Sequence, residues 1–317
     1  PLDPDIPLRT ALRNAVSSSD KDSIKRMAQD YTRRKSINLT NVKIDRQNAK
    51  SWPLALSNFS VSYSFNETFS RNIKTDHRVN REIRGAFTYN YNTNSKPIVP
   101  FRKAKLFNSK YLRLIKDFNF NPIPSQFSFR TDLTRNYFEQ QLRNISNTSI
   151  VFDPTYSKDF IWNRVYSLSW DLSQSIKFDF NANNIARIDE PDGIVDRKYR
   201  NTYDHWRDSV MNNILNFGRN IEYNHQFNIT YNVPLNKIPL IDWTSLSAKY
   251  SGSYNWKGGT LLADTSMFDP GNTIQNSNTI QLVGQLNLQG LYNKFNYLKL
   301  LNQKFDQMGR GTPQKQK

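Results

Sequence analysis

Residues 221–233 read IEYNHQFNITYNV, and this stretch decides the fold class. Its odd positions are apolar or aromatic except for His225, whereas every even position is polar. Alternation with a period of two predicts a β-strand whose two faces meet different environments. At about 3.3 Å per residue the stretch is about 40 Å long, and a tilt near 45° gives it a height of about 28 Å, close to a bilayer core. A long strand in a soluble antiparallel sheet is the other interpretation.

The alternation recurs in seven further stretches, which predicts about eight long strands. They cover residues 54–69, 83–91, 127–137, 162–172, 176–183, 244–256 and 280–289. Such recurrence favours an outer-membrane barrel over a soluble β-sandwich or soluble barrel. The predicted fold class is therefore all-β with short helices: an antiparallel transmembrane β-barrel wall segment with helical turns and one helical cap insertion.

The two sides of each strand receive different predicted roles. The side chains predicted to face lipid are Phe59, Val61, Tyr63, Phe65, Phe87, Tyr89, Phe127, Phe129, Leu168, Trp170, Phe178, Phe180, Phe227, Ile229, Tyr231, Tyr250, Leu286 and Leu288. The side chains predicted to face the lumen are Ser60, Ser62, Ser64, Ser128, Arg130, Ser169, Asp179, Asn224, Gln226, Asn228, Thr230, Gln285 and Asn287.

Composition narrows the class of protein further. Only 37% of the 317 residues are hydrophobic, and no run approaches the roughly 18 apolar residues that a membrane-spanning helix needs, so a helical membrane protein is excluded. The aromatic content of 13% argues against disorder. The net charge of +17 raises nucleic acid or an anionic membrane as a partner. Because Lys and Arg are spread through turns and loops, and aromatic and polar residues segregate to opposite faces, we expect lipid and no nucleic acid.

The segments outside the alternating stretches suggest domain boundaries. Residues 1–45 are predicted to be a helical lead-in of periplasmic type, with Ser19 and Asp20 able to cap its second helix and a short strand from residue 35 onward. Residues 46–308 form the predicted barrel segment, and 188–218 form an external helical cap on or over its mouth. Residues 309–317 are a polar tail. The start PLDPDIPL has no signal peptide, so we expect a piece of a longer protein.

The connections between strands fall into two predicted kinds. One kind is compact and recurs in sequence: LNKIPLI at 235–241 is similar to YNKFNYL at 292–298, and FNSKYLRL at 107–114 to FNYLKLL at 295–301. The other kind is longer and polar. This asymmetry is typical of the periplasmic turns and extracellular loops of outer-membrane barrels.

The residues that could carry chemistry are few and scattered. His77, His205 and His225 lie in different predicted elements, and the chain has no cysteine, so neither a thiolate metal site nor a His pair at metal or triad spacing is expected. The acidic run RIDEPDGIVDR at 187–197 could offer oxygen ligands to calcium, but its spacing differs from an EF-hand loop and favours a solvated turn. Phosphate-loop, nucleophile-elbow and dinucleotide motifs are absent. We therefore expect no enzyme activity, no cofactor and no metal.

Long runs of the chain resemble one known family. These runs are ARIDEPDG at 186–193, VPLNKIPLIDWT at 233–244, GNTIQNSNT at 271–279, and LIKDFNF and FSFRTDLTRNY within 114–137. They are similar to the SprA (Sov) family, the outer-membrane translocon of the Bacteroidetes type IX secretion system, which is linked to gliding motility in some members.

The resemblance implies part of a very large barrel that acts as a passive pore in the cell outer membrane. Its implied partners are secreted cargo proteins with C-terminal secretion domains, a PorV-like barrel that receives them, and a plug protein that closes the pore. The family offers no catalytic motif. A self-contained small outer-membrane β-barrel, of porin or adhesin type, is the alternative. That alternative predicts bulky inner residues, whereas the inner faces here are mostly small Ser, Thr, Asn and Gln.

Overall fold

A computed structural model describes residues 6–44, 52–93, 96–104, 109–144, 150–259 and 271–309. Its framework is one antiparallel sheet of nine strands, and each strand pairs with its neighbours in sequence. The strands are β1 (Tyr31–Val42), β2 (Phe59–Arg71), β3 (Thr75–Asn92), β4 (Gln126–Leu142), β5 (Thr155–Asp171), β6 (Ile176–Arg187), β7 (Arg219–Val233), β8 (Thr244–Lys257) and β9 (Thr273–Leu286). The all-β prediction is confirmed.

The helices are short and lie outside the sheet. They are α1 (Leu8–Asn14), α2 (Ser18–Ala28), α3 (Arg113–Lys116), α4 (Arg200–Leu215), α5 (Leu288–Tyr292) and α6 (Asn296–Gly309), with 3₁₀ turns at Leu56–Asn58, Lys110–Leu112 and Leu235–Lys237. None of the helices in the described ranges is long and apolar enough to cross a membrane.

The two ends of the sheet are named here after their tightest turns. The upper end is where residues 72–74 join β2 to β3, and the lower end is where residues 172–175 join β5 to β6. At both turns a side chain holds the backbone: Asn72 accepts hydrogen bonds from the amides of residues 74 and 75, and Ser173 from those of 175 and 176. Such side-chain-closed turns fix the hairpin register.

The register assigns every strand residue to one of two faces. Paired residues point the same way, so the apolar positions of one strand lie opposite those of the next, as in Phe180 opposite Phe227. We call the face with these residues the apolar face and the other the polar face. All predicted lipid-facing residues on strands lie on the apolar face, and all predicted lumen-facing residues on strands lie on the polar face.

The strands are progressively staggered. One row of paired residues runs from Phe59 on β2 through Tyr89, Phe129, Tyr166, Ala182, His225 and Tyr254 to Asn276 on β9. Phe59 is the lowest residue of β2, whereas Asn276 is ten residues above the lower end of β9 at Leu286. Ten residues over seven strand steps is about 1.4 residues per step, which corresponds to a strand tilt of about 45°.

The sheet is open and has little core. β1 and β9 are not paired with each other in the described ranges. The fully buried apolar side chains are few, and Ile188 is the largest of them. The accessible surface of 24032 Å² exceeds the roughly 14,000 Å² expected for a compact protein of 37.2 kDa. The sheet therefore leaves most of both faces uncovered.

Several boundaries differ from the predictions. The sheet begins at Tyr31, not near residue 46, because Tyr31–Val42 pairs with β2 along most of its length. Residues 31–33 are therefore strand and not helix. The cap of α2 is Ser17, which forms a capping box with Asp20. The tail predicted at 309–317 lies outside the described residues from 310 onward.

The last strand ends before the predicted bound at 289, and two predicted site residues lie beyond its end. The strand ends at Leu286, and Leu288 is the first residue of α5. Asn287 is the N-cap of this helix, since its side-chain oxygen accepts a hydrogen bond from the Gly290 amide at 2.9 Å. The alternation in sequence continues past 286, but Asn287 satisfies the helix start and so ends the strand.

The connections are not sorted by length between the two ends. The described parts of the recurring motifs, at 109–114, 235–241 and 292–301, do share the lower end. A three-residue turn nevertheless lies at the upper end, and the long connection 93–125 lies at the lower end. The prediction that short turns and long loops separate is therefore wrong, although the recurring motifs do mark one end.

Candidate functional surface: two faces and a polar belt

The lower part of the apolar face is a continuous band of aromatic and aliphatic side chains. Neighbouring strands contribute rings that touch across the sheet: the ring centroids of Phe59 and Tyr89 are 4.9 Å apart, and those of Phe129 and Tyr166 are 5.1 Å apart. Such pairs stabilise strand pairing by more than their buried area alone. Many of these side chains, including Val61, remain more than one-third exposed.

Gly252 makes room for one of these rings. Phe227 lies directly opposite Gly252, and a Cβ on this glycine would be 2.6 Å from the far edge of the Phe227 ring. The ring thus covers backbone that a side chain would otherwise shield, which is a known way to stabilise glycine within a strand.

The polar face repeats one small hydrogen-bonded unit. A serine hydroxyl donates to the side-chain oxygen of the asparagine directly opposite it, with donor–acceptor distances of 2.6–2.9 Å. The pairs are Ser36–Asn66, Ser64–Asn38, Ser128–Asn90, Ser167–Asn181, Ser247–Asn232 and Ser251–Asn228. Ser169 makes the same bond to Asp179 at 2.7 Å. These pairs form a hydrophilic surface of small, mostly uncharged side chains.

The apolar face changes character at one height. On seven of the nine strands its first charged, amide or imidazole side chain is seven to nine residues from the lower strand end. These residues are Lys35, Glu67, Arg135, Arg164, Asn184, His225 and Asn278; on β3 the corresponding residue is Arg81, eleven residues from the lower end. We call this row the polar belt. Because the strands are tilted and staggered, residues at a constant distance from the lower strand ends lie at one height.

The apolar band below the belt has a defined height. Eight residues at about 3.3 Å and a tilt near 45° give about 19 Å. The lower connections lie against the band, because Tyr89 donates to the Pro53 carbonyl at 2.8 Å and the Trp170 indole to the Asn121 carbonyl at 2.9 Å. Exposed Leu54, Leu56 and Phe120 in these connections add apolar surface there.

The insertion between β6 and β7 packs on the polar belt. Glu190 of this insertion binds Arg135 through two hydrogen bonds of 2.6 and 2.7 Å and also accepts from the Trp206 indole of α4 at 2.7 Å. The Arg135 guanidinium lies 5.0 Å from the Trp206 ring. The Glu190 side chain is only 2% exposed, and its ion pair with Arg135 compensates the burial of its charge. The predicted cap helix therefore exists, and it lies against the apolar face above the band.

The end of the insertion makes a second contact with the belt. The Phe217 ring stacks on Trp162 at 5.9 Å, and Arg164 donates to the Asn184 side chain, the Phe217 carbonyl and the Asn220 side chain. Gly218 follows with φ of +68°, and a Cβ here would be 2.9 Å from the Arg187 carbonyl oxygen, so only glycine fits. This glycine lets the chain turn directly from α4 into β7.

Asp189 and Glu190 of the acidic run at 187–197 are paired with arginines. Arg219 donates to Asp189 at 2.8 and 2.9 Å, and these hydrogen bonds hold the pKa of Asp189 below its usual range. Asp196 accepts from the amide of residue 198. In the described ranges no three His, Cys, Asp or Glu residues are arranged to hold a metal ion. The run is thus a structured link between the sheet and α4.

The three histidines have separate environments. On β3, the Nε2 atom of His77 lies 3.0 Å from a carboxylate oxygen of Glu139. His205 lies in α4, and His225 stacks on Tyr254 within the belt, with ring centroids 5.2 Å apart. The Nδ1 atom of His225 is buried and has no hydrogen-bond partner. The sequence identified His225 as a break in the apolar pattern, but it did not show that the break belongs to a row across the sheet.

A scan against protein-family models and a search of curated proteins found no match to this chain.

Proposed function

We propose that the chain is part of the wall of a transmembrane β-barrel in the cell outer membrane. The observation that carries this proposal is the polar belt: on one face, most of the staggered strands bear no charged, amide or imidazole side chain up to a common height. Burying Arg135 or Glu67 in hydrocarbon would cost several kcal/mol, about 2–4 kcal/mol for an arginine at the midplane. The belt therefore marks the upper limit of the lipid layer, and the insertion packs above it.

Two features of the sheet favour a segment of a larger barrel wall rather than a self-contained small barrel. Single-chain bacterial barrels have an even number of strands, whereas the described sheet has nine and leaves β1 and β9 unpaired with each other. A small closed barrel also needs inner side chains that fill its interior. The polar face carries Ser–Asn pairs, which suit a wide, water-filled lumen.

We extend the proposal to the pore of a type IX secretion system translocon, as the resemblance to the SprA family implies. In this role the chain is a passive conduit, and the Ser–Asn surface is the part of the wall that cargo contacts. The Ser–Asn pairs are small and uncharged, and the charged residues of this face include both signs, such as Lys177 and Asp179. Such a surface is compatible with transit, because it offers neither apolar patches nor a single-sign field to retain a folded protein. The PorV-like barrel, the plug protein and a role in gliding motility belong to this same proposal.

Paired single-cysteine variants test the membrane proposal, and the chain has no native cysteine to interfere. Tyr63→Cys and Ser62→Cys lie next to each other on opposite faces of β2. In lipid vesicles, we expect a bimane label at position 63 to be quenched by a nitroxide lipid and one at 62 by aqueous iodide. Equal access of iodide to both labels would refute a lipid-facing apolar face.

Photo-crosslinking in secreting cells tests the conduit. A photoreactive residue at Gln226, on the polar face, should capture a cargo protein that bears a C-terminal secretion domain. The same residue at Phe227, on the apolar face, should not. If neither position captures cargo while the bimane experiment succeeds, the barrel stands and the secretion role fails.

A further inference from the structure

One carboxylate on the polar belt is surrounded by three cations. Arg81 donates to Glu67 at 2.8 and 3.1 Å, and Arg33 and Lys35 each lie 3.6 Å from its other oxygen. Glu67 can neutralise one of the three positive charges, so two remain. The side chains of Arg33 and Lys35 are 49% and 55% exposed, whereas that of Glu67 is 10% exposed.

The cluster differs from the other cations of the belt. Arg135 is bound by Glu190, and Arg164 is buried beneath Phe217. The insertion contacts β4 and β5 at this height through Arg135 and Arg164, whereas the side chains of Arg33 and Lys35 remain about half exposed. Arg33 lies 5.5 Å from the Phe69 ring, which holds its guanidinium on the apolar face.

The surface directly below the cluster is apolar. Ile37 and Leu39 follow Lys35 down β1, and they lie opposite Phe65 and Tyr63. Ile37 and Leu39 are both more than half exposed. An amphiphile that places its chains on these residues would bring its headgroup to Arg33 and Lys35.

We propose that Arg33, Lys35 and Arg81 bind the phosphate of a membrane lipid whose acyl chains cover the apolar band below. The proposal rests on the proposed function, since it requires the apolar face to meet lipid. Guanidinium groups match phosphate oxygens in geometry and charge, and the two uncompensated cations supply the attraction. The site also fixes the depth of the wall, because it holds the headgroups at the height of the belt.

Vesicle flotation with the full chain tests this site. The chain is titrated with phosphatidylcholine vesicles that contain or lack phosphatidic acid, and the partition constants are compared. Each cation near an anionic surface contributes about 1 kcal/mol, which is about fivefold in the partition constant. Phosphatidic acid should therefore raise the partition constant of Arg33→Gln/Lys35→Gln about 25-fold less than that of the wild type. The matched control is Lys177→Gln/Lys249→Gln, which removes the same charge from the polar face, where Lys177 also lies 3.6 Å from a carboxylate.

The outcomes separate this site from the membrane proposal. The site is supported if phosphatidic acid still raises the partition constant of the control variant but no longer raises that of the Arg33/Lys35 variant. An equal loss in both variants would show that only net charge matters and would overturn it, as would a wild-type chain that ignores phosphatidic acid. If the chain inserts into neither kind of vesicle and the label at position 63 stays accessible to iodide, the membrane proposal itself fails.

Discussion

At the scale of single residues, the contact between Gly252 and the Phe227 ring predicts that a side chain at position 252 destabilises the fold. Gly252→Ala places a methyl group in the volume that the Phe227 ring occupies, so the ring must rotate away. We expect a loss of about 1–3 kcal/mol in the free energy of unfolding, as for other overpacked sites. Gly85→Ala is the control, because nothing lies within 4 Å of its added Cβ. Urea unfolding followed by tryptophan fluorescence measures both, and equal destabilisation would contradict the prediction.

The Asp189–Arg219 ion pair predicts that the free energy of unfolding depends on pH. Because the pKa of Asp189 is lowered in the folded protein, the pair stabilises the fold above the unfolded pKa of about 3.9 and loses this effect as the pH falls through the folded pKa. Asp189 is 46% exposed, so we expect Asp189→Asn to cost at most about 1 kcal/mol at neutral pH. In thermal melts the gap between variant and wild type should close at acidic pH. A gap that persists unchanged at pH values well below 3.9 would assign the effect to something other than the charge.

Face assignment is the part of the residue-scale picture that the sequence could supply. Period-two alternation places Phe227 and Gln226 on opposite sides whatever the strand pairs with. It fails at Asn287 and Leu288, where the same alternation runs into a helix cap. The partners of each side chain, such as Asn181 for Ser167, depend on register and are not visible in the alternation of a single strand.

At the scale of elements, the docking of the insertion depends on Glu190. Glu190→Gln removes the charge that pairs with Arg135, whose side chain is only 11% exposed, and leaves a buried cation unpaired. Breaking such a pair typically costs about 3–5 kcal/mol, so we expect the insertion to leave the sheet. The exposed basic residues Arg197, Lys198 and Arg200 should then be cleaved faster by trypsin.

Asp204→Asn provides the comparison for this prediction. Asp204 lies on α4 and makes only exposed ion pairs, 3.8 Å from Arg200 and 3.5 Å from Arg207. Exposed pairs contribute about 1 kcal/mol or less, so its cleavage rate should stay near that of the wild type. Similar rates in the two variants would mean that Glu190 does not hold the insertion in place.

The length of the strands could be predicted only in part. The alternation predicts β3 from residue 83 and β5 from residue 162, but these strands begin at Thr75 and Thr155. Above the polar belt both faces carry polar or charged side chains, so the alternation that indicates a strand disappears. The same cause hid the first residues of β1, where Arg33, Arg34 and Lys35 are consecutive, whereas its part from residue 35 onward is predicted as a short strand. The strands thus continue where their signal ends.

At the scale of the whole molecule, the sequence predicts two-faced strands but not how they are staggered. The tilt of about 45° follows from pairing across eight strands, and each hairpin adds its own shift. Only this stagger turns the scattered polar residues Lys35, Glu67, Arg164 and Asn278 into one level belt. The common height of the belt is therefore a property of the register and not of any single strand.

The two edges of the sheet differ in a way that predicts self-association. β9 reads TIQNSNTIQLVGQL, is exposed throughout, and has neither a charge nor a proline, whereas β1 carries three consecutive cations. An exposed, uncharged edge strand is a template for pairing with a further strand. We expect the isolated chain in detergent to associate through β9, and Gln275→Lys/Gln281→Lys to raise the dissociation constant at least about tenfold, since like charges that meet across a paired edge repel.

Sedimentation velocity over a range of concentrations measures this association. The comparison is Asn224→Lys/Asn228→Lys, which adds the same charges to the polar face of β7, two strands away from the edge. If both variants dissociate the chain equally, net charge is the cause and the edge is not the contact. If only the β9 variant does so, the uncharged edge of β9 is the surface through which the copies associate.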